Sequence, residues 1–273
     1  MKLRSLLYVP AQSARFLAKA HERGADAIIL DLEDAVPDAD KDAARAGLAE
    51  AVPSAGQNGA KIFVRINAGA RQNDDALGAC RAGAFGLMVP KVQSPGALEA
   101  LAGLLRAEEA TLGRAALMFF ALIEDPAALL DARAIAASHR VIGLALGSED
   151  LATAIGATPT PEVLRHPKLL LHYAAKAEGK LSLGLLQSSA DYADLAALAA
   201  AAAEAKAHGF DGATCVHPAA VPVLNAGFSP GPAERDWAER ALAASKTRPG
   251  AFVLDGRMVD APILARARRI LES

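Results

Sequence analysis

Cysteine is nearly missing from this chain. Cys80 and Cys215, the two in 273 residues, are too few and too isolated for a disulfide framework or a thiolate zinc site. Aromatic residues are only 4% of the composition, so alanine-rich helices packing closely on a branched interior are expected. There is no excess of charge of either sign: 29 Lys and Arg face 31 Asp and Glu, for a net charge of −2. Without a basic surplus to neutralise phosphates, no nucleic-acid partner is expected. Apolar runs such as VIGLALG break off well before the ~20 residues of a membrane-spanning helix, so no membrane partner is expected either. The apolar run near the N-terminus stops at Pro10, short of the about 7–15 residues in the core of an export signal. These absences together predict a soluble, cytoplasmic globular protein.

Hydrophobic residues, much of them alanine, make up 52% of the chain, enough for a large core. Eight short runs rich in Val, Ile and Leu stand out: Leu3–Val9, Ala27–Leu32, Ile62–Ile66, Gly86–Val89, Leu117–Ile123, Val141–Leu146, Leu181–Leu186 and Ala213–Val216. They recur at intervals of roughly 25–40 residues, the length one βα unit occupies. The runs are apolar throughout rather than alternating, as parallel strands covered on both faces are. Helix-periodic stretches separate them, for example Ser13–Arg23, capped by Ser13 and stopped by Gly24, and Tyr192–His208, stopped by Gly209. Eight such units predict an α/β fold, a TIM-type (β/α)8 barrel over residues 1–225.

Past Pro218 the pattern changes. Phe228–Pro232 reads as a linker, Ala233–Ser245 as a helix, Gly250–Asp255 as an extended piece ending in a turn, and Pro262–Leu271 as a last helix. Residues 226–273 are too few to bury a core of their own. A helical lid extension, packed on the barrel or on a neighbouring subunit, is therefore expected.

Function in such a barrel collects where the strands end. The residues there are Tyr8 and Pro10, then Asp31, Glu33 and Asp34, Arg65 and Asn67, Lys91, Glu124 and Asp125, Ser148, Glu149 and Asp150, Gln187, and His217. Glu124 and Asp150 would make an all-oxygen site with few protein ligands and several waters, the arrangement magnesium prefers. No His/Cys cluster points to zinc. The competing reading is that both carboxylates cap the helices that follow IEDP and SEDL, and spacing alone does not choose. Arg65, inside the apolar string KIFVRIN, needs an anion. A substrate carboxylate is the first choice and an ion pair with Asp31 or Glu33 the second. Asp26 and Lys61, at strand starts, read as structural. Cys215 lacks a paired base and reads as a core residue, and His139 and His172, in helical stretches, as surface or packing residues. Lys91 suggests a Schiff base, but the carboxylate-rich rim favours a metal.

The strings RSLLYVPAQ, ILDLEDAVPDADKDAAR, VRIN, PK, LIED, GSEDLA, GFDGATCVHP and DGRMVDAP follow one another in that order. On these the chain resembles, over nearly its whole length, the citrate lyase β-subunit-like branch of the HpcH/HpaI aldolase family, which includes malyl-CoA and citramalyl-CoA lyases. The resemblance implies a magnesium-dependent TIM barrel, trimeric or hexameric, that cleaves or forms a carbon–carbon bond beside a thioester. It implies that Glu124 and Asp150 bind Mg2+, with Asp31, Glu33 and Asp34 behind them reaching the metal's waters. Arg65 would hold the substrate carboxylate or the enolate oxygen. Tyr8, Arg15 and Lys19 would touch the acyl-CoA, Val216 and His217 would close over the thioester, and Asp260 would be the acid/base donated by a neighbouring subunit's lid. The activity so implied is lysis or formation of a 3-hydroxyacyl-CoA of malyl-, citramalyl- or citryl-CoA type. The alternatives are an aldolase using a free 2-oxo acid such as pyruvate, and a subunit of a larger citrate-lyase-like complex acting on a carrier-bound acyl group. Departures from the family pattern fall at Ala11 and Asp125, where Gly and Thr are usual, at Gly184, where Asp is common, and at Ala213 after Gly212, where Lys is usual.

Overall fold

The strands that form are the ones whose residues can face apolar neighbours on both sides. In this computed structural model, which describes residues 1–187 and 193–272, they are β1 (Ser5–Pro10), β2 (Ala27–Asp31), β3 (Lys61–Arg65), β4 (Gly86–Val89), β5 (Met118–Ile123), β6 (Val141–Leu146), β7 (Leu181–Leu183) and β8 (Ala213–Cys215). All pair in parallel, in the order β7-β6-β5-β4-β3-β2-β1-β8. A bridge between Leu183 and Gly212 joins the two ends of the sheet, giving a TIM-type α/β barrel. Strand β2 shows why the runs do not alternate. Ile29 belongs to the cluster inside the barrel with Leu6, Phe63, Met88 and Phe120, while Ile28 and Leu30 belong to the cluster shared with the helices.

Three of the scarce aromatics meet inside the barrel. Phe63 and Phe120 lie 5.0 Å apart and Phe63 and Phe85 5.4 Å. Glycine makes room for them: a Cβ at Gly143 would stand 2.3 Å from the Phe120 ring. Strand β7 is shorter than the Leu181–Leu186 run because Gly184 adopts φ +150°, which side chains rarely tolerate.

Around the barrel, the first helix covers Ala14–Ala20 and tightens into a 3-10 turn over His21–Arg23 before Gly24 stops it at φ +71°. Ser13 precedes it without a side-chain cap bond. The helix ending at Gly209 spans Leu195–His208, its N-terminal N–H groups accepted by Asp194; Tyr192, its expected start, lies outside the described residues. His172 does pack, stacked 4.6 Å from Phe210, but His139 sits in a turn after the helix Ala132–Ala136 rather than within a helix. At the strand starts Asp26 takes a forked pair of bonds from Arg4 (2.8 and 2.7 Å), and Lys61 lies over the Phe85 ring.

The last residues form helices Pro232–Ser245 and Ala261–Glu272 around a small cluster of their own, with Ala238, Ala241 and Ala267 buried. Between them β9 (Phe252–Leu254) and β10 (Arg257–Val259) pair as a hairpin. Among the described residues no helix is long and apolar enough to cross a membrane.

Candidate active site

The C-terminal ends of the strands surround a cavity of about 470 Å3. Its first wall follows from strand register. Asp31 and Arg65 are directly paired positions on β2 and β3. The guanidinium therefore grips the carboxylate with two bonds, Nε to Oδ1 at 2.7 Å and Nη2 to Oδ2 at 2.6 Å. Its Nη1 stands 3.0 Å from Glu33 Oε2 and 2.9 Å from Asp34 Oδ2, and the whole group lies 5.0 Å over the Tyr8 ring. Of the two partners considered for Arg65, the structure shows the chain's own carboxylates, with Asp31 first. Burial opposes the charge on Arg65, but the bonds from Asp31 and the surrounding anions outweigh it and raise its pKa. Burial likewise pushes the Tyr8 phenol up, so it stays protonated at neutral pH.

The second wall is built around Glu124, at the end of β5. It is 7% exposed and accepts the backbone N–H of Lys91 at 2.6 Å. Lys91 makes that bond from a left-handed backbone conformation, φ 51°, an uncommon one for a residue with a side chain. On the other side is Gly147, where a Cβ would lie 2.3 Å from Glu124 Cγ. Glu124 is thus wedged between one residue's backbone and another's missing side chain. Burial, helped by the charges of Glu33 and Asp150, pushes its carboxyl up to about 7. Burial, with Asp34 and Asp31 adding to it against Arg65 and Lys91, does the same to Glu33.

Capping does not account for these carboxylates. Asp125, not Glu124, caps the helix Pro126–Leu130, its Oδ1 accepting from Ala127 and Ala128. Gly147 holds the cap position of the helix Ser148–Ala154, and Asp150, in its first turn, lines the cavity.

One chain therefore brings Tyr8, Asp31, Asp34, Arg65, Glu124, Asp150 and Val216 around the cavity, with Glu33 bonded into the same network. Besides Glu33, four predicted residues are not among its lining. Arg15 and Lys19 lie exposed on the first helix, and His217, beside Val216, accepts the Ala219 N–H with Nδ1. Asp260 stands at the start of the helix Ala261–Glu272, its Oδ1 accepting the Ile263 N–H. Lys41, in the motif LDLEDAVPDADK, ties the rim together by donating to Leu32 O, Glu33 O and Asn67 Oδ1. Gly184 lines the cavity, and Gly212 packs against the backbone just before β1, where a Cβ would stand 1.9 Å from Leu3 O.

Sequence reasoning missed Lys168. It projects from the helix Pro161–Ala177, is buried, lines the cavity, and donates to the carbonyls of Leu185 and Gln187, both at 2.7 Å. The available signal was positional: Lys168 occupies the apolar stripe with Leu164, Leu171 and Ala175, where a lysine needs a reason.

Residues 4–218 match the model of the HpcH/HpaI aldolase/citrate lyase family. The citrate lyase subunit beta-like protein of Mycobacterium tuberculosis (strain H37Rv) is 33% identical over 274 residues, covering 97% of this chain and 93% of that one. A (3S)-malyl-CoA thioesterase of Cereibacter sphaeroides (strain ATCC 17029) is 33% identical over 278 residues, 98% and 93% of the two chains. Among solved structures, CitE from M. tuberculosis in complex with magnesium, acetoacetate and coenzyme A superposes with a TM-score of 0.81 at 32% identity, over 98% of this chain and 96% of that one. A citrate lyase from Burkholderia xenovorans LB400 shares the fold, with a TM-score of 0.86 at 20% identity over 100% and 91%. With the family model spanning the whole barrel and relatives aligned from end to end, the chain belongs to the HpcH/HpaI aldolase/citrate lyase family.

Proposed function

We propose that the protein is a magnesium-dependent carbon–carbon lyase that cleaves or forms a 3-hydroxyacyl-CoA of the malyl-, citramalyl- or citryl-CoA type through an enolate. The observation that carries this reading is Glu124, a buried carboxyl pushed up to about 7 and held open to a cavity that Asp150 also lines. Carboxylates crowded so closely are what a hard divalent cation offsets, and oxygen is the only donor type offered. Among the described residues no three His, Cys, Asp or Glu side chains gather as a metal cage. Two carboxylates would then hold the ion, as befits magnesium, which keeps several waters and leaves room for substrate. The M. tuberculosis structure in complex with magnesium, acetoacetate and coenzyme A supports the same reading.

When bound there, magnesium supplies Lewis-acid stabilisation of charge developing on oxygen. The chain's residues do the rest. Lysis removes the proton of the 3-hydroxyl, breaks the C2–C3 bond, and leaves its electron pair on the thioester as an enolate, which then takes a proton at carbon. Arg65 is held by three hydrogen bonds to Asp31 and Asp34 and by an ion pair with Glu33. Its remaining N–H donors are left for an enolate or carboxylate oxygen, a preorganised charge of the kind that lowers such barriers. Arg15 and Lys19 meet the phosphates of the acyl-CoA, with Tyr8 at the near end and Val216 and His217 at the lip over the thioester. Asp260 does not line this chain's cavity, so it serves as acid/base from the lid of a neighbouring protomer in a trimer or hexamer.

Acetyl-CoA release from malyl-CoA and citramalyl-CoA, assayed in parallel with magnesium, tests the proposal. Release from either, lost in Glu124→Gln, is the expected result. Release of free CoA would identify a thioester hydrolase, and silence with both substrates in protein that binds magnesium would move the reading to a free 2-oxo acid.

A further inference from the structure

We infer that Lys168 is a substrate-recognising residue that selects oxo acids carrying a carboxylate beyond the one at the metal. The inference rests on the lyase reading above and extends it to the identity of the acid partner. Two cations line the cavity, Arg65 and Lys168. Arg65 already faces three carboxylates of its own chain, Asp31, Glu33 and Asp34. A second substrate carboxylate therefore needs the other cation. Lys168 is only 5% exposed, and two of its three N–H groups are taken by Leu185 O and Gln187 O. Both acceptors are neutral carbonyls, and among the described residues no carboxylate reaches ion-pair distance of its Nζ. Burial lowers its pKa to about 8, with the charge of Glu149 pulling the other way, so the group is still mostly charged at pH 7.

A buried cation without a paired anion is costly to keep, and an anionic ligand would remove that cost. The wall it serves is mostly apolar: Leu183, Gly184 and Leu185 from the β7 side, Ala213, Thr214 and Val216 from the β8 side. Arg65 and Glu124, on β3 and β5, come from other strands of the ring, and Lys168 from a helix beyond β6. A ligand held by all three must be extended and charged at more than one place.

Pyruvate and freshly prepared oxaloacetate, which differ by one carboxylate, are the probes, titrated by calorimetry with magnesium at pH 7. Wild-type protein is expected to bind oxaloacetate at least tenfold tighter than pyruvate. In Lys168→Gln, which keeps donors for the two carbonyls if the apolar Lys168→Met does not fold, oxaloacetate affinity should fall tenfold or more and pyruvate affinity stay within twofold. Lys168→Arg should restore most of the preference. Equal binding of the two acids by wild type, or parallel losses of both in Lys168→Gln, would overturn the inference and leave the lyase reading intact. Protein that binds neither acid overturns both.

Discussion

Replacing Glu124 by Gln should make the metal-free protein more stable at pH 8 and insensitive to magnesium. An acid whose folded pKa is raised keeps its proton longer when native than when unfolded. Between the ordinary 4.5 and about 7 the native state therefore binds more protons, and stability falls as pH rises through that window. At about 1.4 kcal/mol per tenfold in binding, full ionisation of Glu124 costs about 3 kcal/mol. Glu33 titrates over the same range and repels Glu124, so the pair ionises in sequence and removing one carboxyl eases the other. Glutamine keeps the acceptor for the Lys91 N–H and omits the charge. At roughly 2–4 °C per kcal/mol for a chain of this size, Glu124→Gln should melt about 5–10 °C above wild type at pH 8, and together with it at pH 4.5. Magnesium should raise the wild-type Tm at pH 8, much less at pH 5.5, and not at all in the variant. Thermal scans in EDTA and in magnesium across this pH range measure all of it. A wild-type Tm equal to or above the variant's at pH 8 without metal, or a full magnesium response in Glu124→Gln, would refute the reasoning.

Gly147→Ala adds a methyl 2.3 Å from Glu124 Cγ and should abolish the magnesium response while the barrel still folds, read by the same scans together with circular dichroism. Arg65→Met leaves Asp31 and Glu33 buried without their cation; it should cost about 3–5 kcal/mol in urea unfolding at pH 8. The loss should shrink towards pH 5, where Glu33, pushed up to about 7 by burial, takes up a proton instead. If Asp260 acts across a protomer boundary, mixing inactive Asp260→Ala and Glu124→Gln subunits should restore part of the activity, because some mixed sites then carry both intact residues; mixtures as dead as their components would confine Asp260 to its own chain.

The barrel was legible because its information is local. Parallel strands buried on both faces read as unbroken apolar runs, and Gly24 and Gly209 mark helix ends with positive φ. The strand-end carboxylates were legible for the same reason, since a strand's last residue is fixed by its own run. What escaped depended on contacts between distant segments. The partner of Arg65 is set by the β2–β3 register, which puts Asp31 directly opposite it. The choice of Asp125 over Glu124 as a cap depends on where β5 ends, a matter of one residue. Lys168 acts on carbonyls 17 and 19 residues away, and no motif around it records that.

Electrostatics joins these pieces into one argument about what the site needs. Asp31, Asp34, Glu124, Glu149 and Asp150 line the cavity against two cations. Register commits Arg65 to Asp31 first, so the strongest cation is already occupied before any ligand arrives. The excess negative charge then falls on the β5–β6 side, where Glu124 is wedged in place by Lys91 and Gly147 and cannot turn away to solvent. Folding energy has been given up to hold that carboxyl in a position where its ionisation is opposed, the trade found at sites built to bind something. On the opposite wall Lys168 carries the reverse deficit, a buried positive charge that, among the described residues, donates to two neutral carbonyls and is ion-paired to no carboxylate. A divalent cation at the first place and an anionic ligand spanning to the second would satisfy both at once. Each should then tighten the binding of the other, so oxo-acid affinity should rise with magnesium by the same factor as magnesium affinity rises with the oxo acid.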